Sequence, residues 1–244
     1  MRTVHYSFIL LLLVFCACNR QPKQVVSVTT EAISVDASTD GIQDAAYTAQ
    51  LAATKADLER EMNVQIGYAP ERLWVDGPEC PMLNWATDAL WEEAKLAYPG
   101  KVDIAIVNMG GMRCEWQAGP ITRGCVFELM PFDNRLVVLT LKGEDVLALC
   151  ESFARYGGQG VAGMRVTIID GQVADVQIGG KALDTKALYT VATSDYLSGG
   201  TDHMDALTRY VDYWNSDLLI RDLYLHAVQT QDTIRAAVDG RMTM

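Results

Sequence analysis

Residues 102–141 read VDIAIVNMGGMRCEWQAGPITRGCVFELMPFDNRLVVLTL. The two ends of this stretch, Val102–Val107 and Leu136–Leu141, are short apolar runs rich in β-branched residues, the pattern of buried strands. Between them, Asn108 to Asn134 carries turn glycines, Arg113 and a Pro131-Phe-Asp-Asn134 ending that packing alone does not explain. Two buried strands therefore present one polar loop. Gly110 and Gly111 let the backbone take positive φ and approach a ligand, while Asn108 and Arg113 bracket them with an amide and a guanidinium. Such a loop suits an anion or a planar polar group.

Upstream, Asp40 and Gln43 form a helix-start pattern, and Ile42, Ala45, Ala46, Ala49, Ala53, Ala56 and Met62 recur at helical spacing. Val64–Tyr68 follows as a strand. A second helix begins behind Pro81, with Leu83, Ala86, Leu90, Ala94 and Ala97 on one face and Pro99-Gly100 as its stop. Downstream, Gly143–Arg155 reads as a helix with Val146, Leu149, Cys150 and Phe153 inward, closed by Gly157-Gly158. Asp170-Gly171 turns Met164–Ile169 back into Val173–Ile178, a β-hairpin. Leu188–Thr193 is the next strand, and helices are expected around Met204–Tyr210 and Asp217–Gln229. Strands alternating with helices, plus one hairpin, give an α/β (α+β) domain with a mixed sheet and packed helices.

The chain of 244 residues is half apolar, enough for a sizeable core without staples. Its net charge of −11 repels nucleic acid and anionic headgroups, so an anionic small ligand must be held by a few local arginines. Residues 1–17 form a secretory-leader pattern, Arg2 followed by apolar Phe8–Phe15, too short to span a bilayer. Its end, Phe15-Cys16-Ala17-Cys18, resembles the lipobox of bacterial lipoproteins, with Cys18 as the lipid acceptor. An ordinary signal peptide cut nearby is the alternative. The expectation is an exported cell-envelope lipoprotein held at a membrane by its lipid anchor only, with residues 18–40 as a polar tether and residues 41–244 as the domain. Cys80, Cys114, Cys125 and Cys150 remain. A Cys114–Cys125 disulfide flanking the loop and four buried thiols are both open, and no C-x-x-C spacing supports zinc.

Four sub-motifs together carry a family resemblance: Asn108-x-Gly-Gly-x-Arg113, Gly119-x-Ile-Thr122, Pro131-Phe132-x-Asn134 and Leu141-x-Gly143. In this order they resemble the C-terminal, substrate-binding domain of the 5'-nucleotidase / UDP-sugar hydrolase family, over about residues 42 to 241. Thr193-Ser-Asp-Tyr196-Leu-Ser-Gly-Gly-Thr-Asp202 is similar to the family's second functional loop, with Thr201 and His203 where glycines are usual. Glu79, Leu83 or Asn84, Asp88 and Ala89 loosely match a further segment, and Asp239-Gly-Arg241 its closing one. Asp76 stands where the family has an arginine that helps bind substrate, and Arg72 matches a second one.

The resemblance implies that Phe132 and Tyr196 stack on a base and that Gly158, in a Gly-Gly loop, lies beside it. By their chemistry, Asn108 and Asn134 can read a base edge, Asp202 can accept from both ribose hydroxyls, and Arg113, with Arg72, can fork onto a phosphate or sugar oxygens. Each residue also has a plainer reading. Phe132 can anchor a core, Asp202 can cap a helix at His203 or Met204, Arg113 can pair with Glu115 or Glu128, and Gly157 can be a helix C-cap.

In the family, hydrolysis belongs to a separate metallophosphatase domain that holds two metal ions through His and Asp residues. Here only His203 and His226 follow the leader, so no cofactor is expected on this chain and divalent metals are expected on a partner. The resemblance thus implies a nucleotide-recognition domain completed by a metallophosphatase-domain partner protein. The alternative is a lipoprotein that captures nucleosides or nucleotides without hydrolysing them. No nucleic acid is expected as partner.

Overall fold

The computed structural model describes residues 25–41 and 44–244. The leader, Cys18, and Ile42 and Gln43 of the expected helix start lie outside the described residues. By contacts the chain divides into two units, Met1–Ala49 and Gln50–Met244. In the first, residues 25–36 are exposed and without regular structure. A single 3-10 turn, Ala37–Thr39, follows, with Asp36 accepting from the Ser38 N–H at 2.9 Å. The next helix, α1, runs from Ala45 to Met62. It starts later than Asp40 because Asp44 supplies the cap, its carboxylate accepting from the Ala46 and Tyr47 N–H groups at 2.9 and 3.0 Å. The alanines that recur at helical spacing are not buried. Alanines offer too little apolar area to hold a helix against a core.

The second unit is built on a five-stranded mixed sheet in which Asp212–Leu219, Arg135–Lys142, Leu188–Ser194, Ile104–Val107 and Gly160–Ala162 lie side by side in that order. Along the chain, β1 (Gln65–Ala69) precedes α2 (Pro81–Ala97), and β2 (Ile104–Val107) precedes β3 (Gly119–Thr122). Then come α3 (Arg123–Leu129), β4 (Arg135–Lys142), α4 (Gly143–Tyr156) and β5 (Gly160–Ala162). The hairpin β6 (Met164–Ile169) and β7 (Gln172–Ile178) is followed by β8 (Lys181–Ala182) and β9 (Leu188–Ser194). A short helix α5 (Asp195–Ser198), β10 (Asp212–Leu219), α6 (Ile220–Gln231) and β11 (Met242–Thr243) complete the described elements.

The two runs that open the sequence argument form β2 and β4, and their apolar character on both faces has a structural cause. Ala105, Val107, Leu136, Val138 and Ala192 point into one core, packed by α2, α3 and α6. Ile104, Ile106, Val137, Leu139, Leu141 and Val191 point into a second, closed by α4 and the β6–β7 hairpin. A strand buried on both sides needs apolar residues at every position. Each large side chain buried in this way, such as Leu139 or Phe153, contributes about 1.5–3 kcal/mol. The hairpin turns as its sequence requires, with Asp170 and Gly171 at φ 52° and 74°.

Two expectations fail, and one open alternative is decided. Leu218 and Leu219 belong to edge strand β10, antiparallel to β4, and the helix begins at Ile220. Pairing with β4, invisible in the local sequence, overrides the helical spacing of those leucines. Met204–Tyr210 holds only a 3-10 segment, Asp205–Arg209. All four described cysteines are free thiols, so the Cys114–Cys125 disulfide is not formed. Burial pushes Cys114 up to about 11 and Cys150 up to about 12, which keeps both protonated and inert.

Candidate functional site

The sheet register sets the site. β2 runs parallel to β9, while β4 and β5 run antiparallel to them. The C-terminal ends of β2 and β9 and the N-terminal ends of β4 and β5 therefore share one end of the sheet. The loops there are 108–113, 195–203, 131–134 and 157–159.

The first three of these loops enclose a cleft of about 340 Å³ lined by Asn108, Gly110, Gly111, Arg113, Phe132, Asn134, Tyr196 and Asp202. Such a volume suits a small ligand. Six of the sequence-derived binding residues, from three separate stretches, thus meet in one place. Phe132 is 37% exposed and Tyr196 46% exposed, so neither is a core anchor and both offer ring area to a ligand. The Asp202 carboxylate accepts from the Asn108 side-chain amide, and its other oxygen accepts from the Tyr196 hydroxyl at 3.2 Å. Asp202 caps no helix; the 3-10 segment that follows has Met204 at its N-cap, with no side-chain cap bond. Arg113 pairs with neither Glu115 nor Glu128. Its guanidinium donates to the Gly110 carbonyl at 3.1 Å and sits 5.8 Å from the Phe132 ring centre.

The glycines of the first loop act differently from the expectation. Neither Gly110 nor Gly111 has positive φ. A Cβ on Gly111 would lie 2.6 Å from the Asn108 Oδ1, so this glycine makes room for the Asn108 side chain rather than for a turn. The motif Gly119-x-Ile-Thr122 is likewise structural: Gly119–Thr122 pairs with β1, and the Thr122 hydroxyl caps α3 by accepting from the Cys125 N–H at 3.3 Å. α3 in turn fixes the first loop, the Leu129 carbonyl accepting from the Arg113 N–H at 3.0 Å.

Two expected site residues stand outside the cleft. Arg72 is bound to Glu115, its Nε donating at 3.0 Å, and holds that carboxyl below its ordinary range. Gly158, at φ 89°, follows Gly157, the C-cap of α4, and packs where a Cβ would meet Pro78 at 2.8 Å. Asp76, at the departure from the family pattern, accepts only from the Gly77 N–H, at 2.8 Å.

Three supporting residues escaped the sequence reading. Gln159, delivered by the Gly157-Gly158 turn, accepts from the Met109 N–H at 2.7 Å and so pins the first loop from behind. Asp195 accepts from the Arg135 and Tyr196 N–H groups at 3.0 and 2.8 Å, tying the second loop to the start of β4. Arg221 of α6 donates to the Phe132 carbonyl at 3.3 Å and to Asp133 at 2.7 Å, and stacks 4.5 Å over Phe127. Nothing local marks Arg221, because its partners lie almost ninety residues away. For Gln159 the signal was its place directly after a Gly-Gly pair.

The remaining motif residues hold the end of the chain. Glu79, 7% exposed, accepts from Asn84 Nδ2 at 2.7 Å and from the Asp239, Gly240 and Met242 N–H groups. Arg241 makes a two-pronged pair with Asp88, at 2.6 and 3.0 Å. Among the described residues, no group of three or more His, Cys, Asp or Glu side chains is placed to hold a metal ion.

The chain has relatives among known proteins. The chain is 26% identical over 235 residues to a 5'-nucleotidase of Vibrio cholerae, covering 90% of this chain and 41% of that protein. It is 32% identical over 188 residues to the trifunctional nucleotide phosphoesterase protein YfkN of Bacillus subtilis, covering 65% of this chain and 13% of the relative. The chain thus spans less than half the length of these relatives. A 5'-nucleotidase precursor structure from Thermus thermophilus superposes with a TM-score of 0.72 at 24% identity, over 80% of this chain and 42% of that one, a likeness of fold. Residues 61–209 match the family described as 5'-nucleotidase, C-terminal domain, and the chain belongs to that family.

Proposed function

We propose that this chain is the nucleotide-recognition part of a 5'-nucleotidase-type phosphohydrolase, with the metallophosphatase chemistry and its divalent metals supplied by a separate polypeptide. The observation that carries this reading is the single cleft in which Asn108, Arg113, Phe132, Asn134, Tyr196 and Asp202 converge. A nucleotide presents a flat base, a diol and an anion. Phe132 and Tyr196 take the base by stacking, worth about 1–3 kcal/mol per base. Asn134 donates and accepts along the base edge, with Asn108 already engaged on Asp202. Asp202, preset by Asn108 and Tyr196, accepts from the ribose hydroxyls. Arg113 forks onto phosphate or sugar oxygens. The leader pattern and Cys18 are what supports a place at the cell envelope on a lipid anchor.

A second reading, which draws on the same six residues, is a lipoprotein that captures nucleosides or nucleotides without hydrolysing them.

Calorimetric titration with adenosine, AMP and UDP-glucose tests both. The expected outcome is binding that falls about 5- to 100-fold in Phe132→Ala, the equivalent of one stacked base, with little change in Tm. AMP hydrolysis should appear only when a metallophosphatase domain and its metal are added. Hydrolysis at enzyme-like rates by the metal-free chain alone would sink the recognition-domain reading. No binding to any of the three ligands would remove the capture reading.

A further inference from the structure

Asp202 and His203 are consecutive residues in the left-handed region, at φ 52° and 62°. Side chains other than glycine resist that conformation, and it persists where the surroundings enforce it. The turn is closed by its own backbone bond, the Met204 N–H donating to the Thr201 carbonyl at 3.1 Å, and further contacts reach it from helix α4. The Ser152 hydroxyl donates to the His203 carbonyl at 2.5 Å. One turn further along, the Tyr156 ring lies flat on the His203 imidazole, with ring centres 3.7 Å apart and planes 8° from parallel. Residues four apart share a helix face, so Ser152 and Tyr156 grip the backbone and the side chain of the same residue. Neither lines the cleft. Directly before His203 in the chain, the Asp202 carboxylate meets Asn108 and Tyr196.

We propose that Ser152 and Tyr156 are positioning residues: through His203 they hold Asp202 left-handed, and so fix the carboxylate that selects a ribose diol. This rests on the reading of the cleft as a nucleoside site. Without the grip the loop relaxes toward negative φ, and the carboxylate leaves Asn108. Selectivity for the diol then falls while base stacking on Phe132 stays.

The test uses the full chain and measures affinity for adenosine and for 2',3'-dideoxyadenosine in Tyr156→Ala and Ser152→Ala/Tyr156→Ala. Tyr156 is 50% exposed, so its truncation should leave global stability nearly unchanged. Adenosine binding should weaken about tenfold, and dideoxyadenosine binding less than about twofold. Adding His203→Gly to Tyr156→Ala should restore most of the lost adenosine affinity, because glycine adopts positive φ freely. Equal losses for both nucleosides, no loss, or no rescue would each overturn the proposal. If the unaltered chain binds neither nucleoside, the reading of the cleft fails by itself. Amide exchange across residues 201–204 then decides the grip: faster exchange in Tyr156→Ala upholds it, and unchanged exchange overturns it.

Discussion

The Asn108 amide donates to the Asp202 carboxylate across 94 residues of sequence, joining the loop after β2 to the loop after β9. Replacing the amide by a second carboxylate tests this bond without changing side-chain size. In Asn108→Asp two carboxylates meet, and their repulsion raises one pKa. At about pH 8 both are charged, and riboside binding should fall roughly tenfold, as expected for a charge-assisted hydrogen bond worth about 1.5–3 kcal/mol. Near pH 5 a shared proton should restore much of it. A titration series showing a pH-independent loss would mean that the two side chains are not in contact in solution.

The two arginines singled out by sequence should behave differently. Arg113 lines the cleft, so Arg113→Ala should weaken AMP binding more than adenosine binding, by on the order of 1.5–3 kcal/mol in the difference. Arg72 is held by Glu115 and is mostly exposed. Arg72→Ala should leave both affinities within about twofold and shift stability by about 1 kcal/mol or less. Calorimetry on the two variants side by side checks this, and a selective loss of AMP affinity in Arg72→Ala would return that residue to the site.

Glu79 is the greater structural liability. Truncation in Glu79→Ala takes the carboxylate from the N–H groups of Asp239, Gly240 and buried Met242, and leaves the buried Asn84 amide with only the Ala237 carbonyl. With each unsatisfied group costing about 1–3 kcal/mol, a loss of at least roughly 3 kcal/mol is expected. Urea unfolding should show it, together with faster proteolysis of the last few residues. A loss below about 1 kcal/mol would contradict the network.

Acid should weaken the fold through Asp103. Burial raises the pKa of this carboxyl, but Lys101 and the Thr190 N–H and hydroxyl outweigh burial and leave it lowered from 3.8. A lowered folded pKa means that the stabilisation is present above the ordinary carboxylate value. It is lost as the pH falls below that value, through the folded one. Asp239, lowered chiefly by its bond with Arg241, acts in the same window. The urea midpoint should therefore drop as the pH falls from about 5 toward 2, and Asp103→Ala should start lower and drop less. Parallel pH dependence in the two proteins would exclude this role for Asp103.

How far the sequence could be read follows from what each feature depends on. β2, β4, α2, α4 and the β6–β7 hairpin rest on local patterns: unbroken apolar runs, an apolar helix face, Asp170-Gly171, and Gly157 at a helix end. All are legible without partners. The six cleft residues were legible because their order along the chain carries a family pattern.

The tertiary structure alone decided the rest. β10 exists because β4 offers it hydrogen bonds, and α1 stays exposed because its alanines bury too little area. Arg72 left the site when Glu115, 43 residues away, captured it. Gly111 proved to serve the Asn108 side chain rather than a positive φ. Arg221, Gln159 and the α4 grip on His203 act through contacts spanning about 50 to 90 residues. The chain by itself thus determined which groups line the cleft. Which groups hold them still depends on pairings between distant segments, and local pattern carries no record of those.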